Sequence, residues 1–89
     1  MKAVITVVGK DRVGIIAEVA NLLSENNINI LDISQTIMED YFTMMMITSF
    51  SNSTKDFGAM RKVLTDYSKT AAVDISVQHE DIFNSMHKI

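Results

Sequence analysis

Along this chain the spacing of apolar residues switches between a period of about two and a period of about 3.6, the signatures of strand and helix. Lys2 to Val8 is rich in β-branched residues and interleaves Ala3, Ile5 and Val7 with Val4, Thr6 and Val8, so both faces carry apolar groups. That pattern reads as a central strand. From Gly14 the period lengthens, and Ile15, Ile16, Val19, Leu22 and Leu23 form one stripe with Glu18, Asn21 and Glu25 opposite, an amphipathic helix. Asparagine tolerates the left-handed conformation that closes a helix, so this one is expected to end at Asn26 or Asn27.

Ile28 to Glu39 alternates again, with Leu31, Ile33 and Ile37 on one face and Asp32, Ser34 and Thr36 on the other. After the polar break Glu39-Asp40, Phe42, Met44, Met46, Thr48 and Phe50 alternate with Tyr41, Thr43, Met45, Ile47 and Ser49, which predicts a hairpin. Ser53 followed by Asp56 resembles a capping pair ahead of a second helix carrying Phe57, Met60, Leu64 and Tyr67. Gly58 costs that helix roughly 1 kcal/mol relative to alanine, which points to close backbone packing there. Val73, Ile75 and Val77 alternate with Asp74, Ser76 and Gln78 as in an edge strand, and Ile82, Phe83, Met86 and Ile89 follow at helical spacing in a short terminal helix.

The order is βαββαβ plus a tail. Right-handed crossovers and short connections turn it into an α+β, ferredoxin-like sandwich: an antiparallel four-stranded sheet ordered 4-1-3-2 with two helices on one face. One domain is expected over 1–89, with 1–79 as the core and 80–89 as a helical tail. Helices on one face leave Val4, Val8, Met45 and Ile47 to explain, because alternating neighbours cannot all point at them. An apolar remainder together with an unpaired edge at strand two predicts a homodimer through that edge.

Composition excludes several classes. The 89 residues hold no cysteine, proline or tryptophan, so disulfides, thiolate metal sites and cysteine nucleophiles are out. Eight basic and eleven acidic residues give a net charge of −3, and the basic ones are scattered, which argues against nucleic acid as a partner. The first apolar run meets Lys10, Asp11 and Arg12 at once, too soon for a signal peptide or a membrane span, and a cytoplasmic protein is expected. Met44, Met45 and Met46 are consecutive on a strand, so only Met44 and Met46 share a face, and core packing accounts for them better than a soft metal. His79, Glu80, Asp81 and His87 match no common metal spacing, and no metal or cofactor is expected.

The informative segment is GKDRVG, residues 9–14, where two glycines bracket a strand-to-helix junction. A P-loop would continue with Lys and Ser or Thr; here Ile15 and Ile16 follow, and the G-x-G-x-x-G dinucleotide spacing is absent as well. What remains is a turn at a helix N-terminus, whose unpaired N–H groups and partial positive charge suit a carboxylate or another small anion.

The string GKDRVGIIAEVANLLSENNINILDI resembles the first half of an ACT domain, a regulatory amino-acid-binding module with the pattern strand, G-x-D-R-x-G-[IL], helix, then N-I-N-I leading into strand two. The resemblance covers essentially the whole chain and is closest to the small stand-alone bacterial ACT proteins near the glycine-cleavage-system regulator group. It implies a non-enzymatic module that binds an amino acid between two side-by-side copies and signals to a regulated protein. Carried over by position, Gly9, Lys10, Asp11, Arg12, Val13, Gly14 and Ile15 would form the loop, and Asn29 and Ile30 the partner's edge. The amides of Val13, Gly14 and Ile15 would take the ligand carboxylate and Asp11 its ammonium, Gly14 would leave room for the ligand, and Arg12 would point outward or to the dimer partner. Asp11 has an equally good reading as an N-cap, and the asparagines at 26, 27 and 29 can be cap and turn residues.

Two other readings compete. Acylphosphatases hold an anion in the same loop of the same plait, but they need an arginine at the end of the cradle; here Arg12 lies mid-loop and the next arginine is Arg61. A pure interaction module with an empty loop is the third.

Overall fold

The computed structural model describes residues 1–10 and 14–81. Its elements are β1 (Lys2–Lys10), α1 (Ile15–Glu25), β2 (Asn29–Met38), β3 (Tyr41–Ser49), α2 (Phe57–Ala71) and β4 (Val73–His79). The strands form one sheet in the order β2-β3-β1-β4, with each neighbouring pair antiparallel. This is the 4-1-3-2 plait expected from the periodicity, read from the other edge. β1 is central as predicted: Val7 pairs with Met44 on one side and Ile75 on the other. The terminal helix expected over 80–89 falls, from residue 82 onward, outside the described residues.

Residues directly opposite one another in an antiparallel ladder share a face. Ala3, Ile5 and Val7 therefore point the same way as Thr48, Met46 and Met44, and all are buried against Ile15, Val19 and Leu23 of α1 and Met60 and Leu64 of α2. Thr48 is accommodated in this apolar layer because its hydroxyl donates to the Ala3 carbonyl at 2.9 Å. Met44 and Met46 are core residues, as the alternation required. On the opposite face Val8 and Met45 are exposed and Ile47 is half-buried, whereas Val4 is only 4% exposed. Apolar surface does remain there, although less than four residues' worth.

The helix ends show where local sequence decides. α1 closes with the Asn27 N–H donating to the Ser24 carbonyl and the Ile28 N–H to the Leu23 carbonyl, and Asn27 sits at φ 60°. That is a Schellman closure with asparagine in the left-handed position and the flanking Ile28 and Leu23 both buried in the core. α2 differs from expectation. Its N-cap is Asp56, whose carboxylate accepts from the Ala59 N–H at 2.7 Å. Ser53 stands too far upstream to reach the first turn, and its hydroxyl instead donates to the Lys55 carbonyl and accepts from the Lys55 N–H. Among the described residues Gly58 is not a point of close packing either: a Cβ there would meet nothing nearer than the Asp56 carboxylate at 3.8 Å. Ile16, expected on the buried stripe, is exposed.

The hairpin turn is the predicted Glu39-Asp40, with Glu39 at φ 57° and Met38 paired to Tyr41. β2 carries an irregularity that the alternation did not reveal. The register shifts between Ile30 and Asp32, so Leu31 falls in a bulge, and only Ile33 and Ile37 lie regularly on the helix-side face, opposite Met46 and Phe42.

Candidate functional site

The loop after β1 is bounded by two glycines that are glycine for different reasons. Gly9 is a residue of β1 facing Val73 of β4, and a Cβ on it would lie 2.6 Å from the Val73 Cγ1 and 3.3 Å from its Cα. The strands approach closely there, and no side chain fits. Gly14 is the N-cap of α1 at φ 98°, a region that side-chain-bearing residues rarely adopt. Among the described residues a Cβ at Gly14 would meet only the Glu18 carboxylate, at an ordinary 3.5 Å, so the backbone conformation accounts for the residue before any ligand is invoked.

Among the described residues no side chain caps α1 at Gly14, and the first helical bond runs from the Glu18 N–H to the Gly14 carbonyl at 2.9 Å. The amides of Ile15, Ile16 and Ala17 precede it, and the helix axis adds partial positive charge at the same point. The Ile15 side chain is in the core, so this residue can offer a ligand only its backbone. Lys10, paired with Tyr41 at the end of β1, is exposed beside the loop. Asp11, Arg12 and Val13 lie outside the described residues.

Two residues at this end escaped the sequence reading. The Tyr67 hydroxyl of α2 donates to the Glu18 carboxylate at 2.6 Å, tying α2 to the first turn of α1 beside Gly14. Glu18 could have been suspected, because an acidic residue in a first helical turn complements the dipole. Tyr67 gave no signal, since it is distant in sequence and sits on the other helix.

Asn29 and Ile30 are not near the loop of their own chain. Asn29 pairs with Ser49, which pairs in turn with Lys2, whereas Met38 pairs with Tyr41 and Tyr41 with Lys10. β1 and β2 thus run in the same direction, and the two halves of the predicted site stand at opposite ends of the sheet, roughly 25 Å apart at about 3.3 Å per residue. At its own end Asn29 is exposed, on the rim of an open groove of about 580 Å³ that Ser24, Asn27, Ile30 and Asn52 also line. Ile30 is half-buried, with its side chain packed against the core. The neighbouring asparagines are structural: the Asn26 amide donates to the Leu22 carbonyl and its oxygen accepts from the Lys55 ammonium, while the Asn27 amide donates to the Asn52 carbonyl.

Among the described residues no helix is long and apolar enough to cross a membrane, and no three His, Cys, Asp or Glu side chains converge as metal ligands would.

Comparison with known proteins agrees with this fold. Residues 2–78 match the family model of the ACT domain. A UPF0237 protein of Clostridium perfringens is 63% identical over 89 residues, covering all of both chains. The structure of an ACT domain protein from Streptococcus pneumoniae superposes with a TM-score of 0.81 at 46% identity, covering 93% of each chain. A candidate glycine cleavage system transcriptional repressor gives a TM-score of 0.77 at 28% identity, over 89% of this chain and 47% of that one. A plait whose first strand ends in a glycine-bracketed loop, matched over nearly its whole length by these sequences and folds, makes the chain a member of the ACT domain family of regulatory ligand-binding modules.

Proposed function

We propose that this ACT domain is a non-enzymatic sensor that binds an amino acid in the loop after β1, at the interface of a homodimer formed through β2, and conveys its occupancy to a regulated protein. The observation that carries the reading is the N-terminus of α1, opened by Gly14 at φ 98°, with no side-chain cap among the described residues and its first amides ahead of the first helical bond, from the Glu18 N–H to the Gly14 carbonyl. Those amides suit a carboxylate. Asp11 supplies a charge-assisted acceptor for the ammonium group, a bond worth about 1.5–3 kcal/mol.

The separation of the two half-sites favours a dimer. In a two-fold pair joined antiparallel along β2, the second copy's strand begins where the first copy's strand ends. The partner's Asn29 then stands at the loop end of the sheet, where an amide that both donates and accepts can close the site.

A thermal-shift screen of the purified protein against the twenty amino acids, with size-exclusion chromatography alongside, tests the reading. A ligand at a hundred times its Kd stabilises the fold by about 2.7 kcal/mol, and each kcal/mol moves the midpoint of a domain this size by roughly 4–8 °C. The expected result is a clear upward shift with one or two amino acids, lost in Asp11→Ala and in Asn29→Ala. No shift with any amino acid overturns it. Hydrolysis of an acyl phosphate that disappears in Arg12→Ala replaces it with the acylphosphatase reading.

A further inference from the structure

Among the described residues, Val4 is the one buried apolar side chain that takes no part in the helix-side core. It lies on the opposite face of the sheet, in a row with Ile47 of β3 and Gln78 of β4. Val4 is 4% exposed and its two row-mates are half-buried, whereas Val8, on the same strand and the same face, is 38% exposed. Val8 also has a strand on either side of it, so strand neighbours do not account for the difference. A further layer covers the Val4 end.

The described elements do not supply that layer. α1 and α2 pack on the other face. The connection from β3 to α2 runs to their side, where the Thr54 N–H donates to the Asn26 carbonyl. Residues 11–13 are tethered at Lys10, about 20 Å along β1 from Val4, farther than three residues held at both ends can reach.

The remaining segment begins at the right place. β4 ends at His79, which pairs with Ala3 beside Val4, and the chain turns helical at Glu80 and Asp81. Beyond them Ile82, Phe83, Met86 and Ile89 recur at helical spacing, with Asn84, Ser85, His87 and Lys88 between. Acidic residues open this stretch and Lys88 lies near its end, as the helix dipole favours. So short a helix is marginal in water unless its apolar stripe is packed. A helix over 80–89 is about 15 Å long, enough to cross from β4 over β1 to β3 with strands about 4.8 Å apart.

We propose that residues 80–89 fold back as an amphipathic helix on the helix-free face of their own sheet, closing its Val4–Ile47 end with Ile82, Phe83 and Met86. The sheet is then covered on both sides at that end and open at the other, where Val8, Met45 and Tyr41 stay exposed. The tail sets how much apolar sheet a partner can meet. This assignment is independent of the loop after β1 and of what it binds.

Nuclear Overhauser spectroscopy reads the contact directly in the unaltered chain. The expected result is cross-peaks from the Val4 methyls to the side chains of Ile82, Phe83 or Met86, and a sample mixing labelled and unlabelled copies should keep them within one copy. No cross-peak between Val4 and residues 82–89, or cross-peaks only between copies, overturns the proposal. Thiol labelling gives a second readout, since the sequence has no cysteine. Val4→Cys in the full chain should react at least about tenfold more slowly than Val8→Cys. In a chain ending at Asp81, with the circular dichroism of the folded protein, the two should react alike. A Val4→Cys that stays protected without the tail overturns the proposal as well, and if the shortened chain fails to fold the spectra of the full chain decide.

Discussion

Gly9 and Gly14 look equivalent in the sequence and make opposite predictions. At Gly9 the obstacle is matter: an alanine methyl would sit 2.6 Å from the Val73 Cγ1. Gly9→Ala should cost about 1–3 kcal/mol, as overpacking does, and Val73→Ala in the same chain should recover part of that loss. Equilibrium urea denaturation of the two single variants and the double variant checks the coupling. At Gly14 the obstacle is the backbone, with only ordinary contact awaiting a methyl among the described residues. Gly14→Ala should cost roughly 1–2 kcal/mol from the left-handed conformation, and Gly14→Asn less, because asparagine visits that region readily. No second-site truncation should rescue Gly14→Ala. The residue types in GKDRVG were legible as a bracketed turn, but the two causes were not, since one depends on β4, more than sixty positions away.

For the elements, the switching period placed six strands and helices in the right order because each buries a face, and burial imposes that period. Boundaries were legible where they rest on local chemistry. Asparagine at the end of α1 is such a case, and its Schellman closure uses only residues that are neighbours in sequence. The start of α2 was misplaced because Ser53 and Asp56 are both good caps, and only the trajectory of the chain decides which one meets the first turn. Asp56→Ala should therefore destabilise the protein by about 1 kcal/mol, while Ser53→Ala, which loses only an exposed local turn contact, should stay within about 0.5 kcal/mol. A Ser53→Ala loss equal to that of Asp56→Ala in chemical denaturation would contradict this assignment. The bulge at Leu31 left no trace in the alternation, because β2 is exposed on its helix-side face as well and an extra residue there disturbs no buried pattern.

For the molecule as a whole, the plait followed from element order and handedness, but the separation of the two proposed half-sites did not. The loop and Asn29 appear close in a linear reading, and only the parallel sense of β1 and β2 puts them at opposite ends of the sheet. A charge on the β2 edge should expose the consequence. Ile37→Lys is expected to shift the protein to monomer in size-exclusion chromatography, since lysine on an edge strand opposes pairing, while its circular dichroism remains that of the folded chain because Ile37 is exposed. The same variant should lose the amino-acid-dependent thermal shift although Ile37 belongs to neither half-site. The opposite-end placement has one more implication. If, as proposed, neither copy holds a whole site, self-association and ligand capture are linked equilibria, each strengthening the other. The response then depends on how much of the protein is present as well as on how much amino acid is: dilution should raise the half-saturating ligand concentration, and added ligand should draw monomers together.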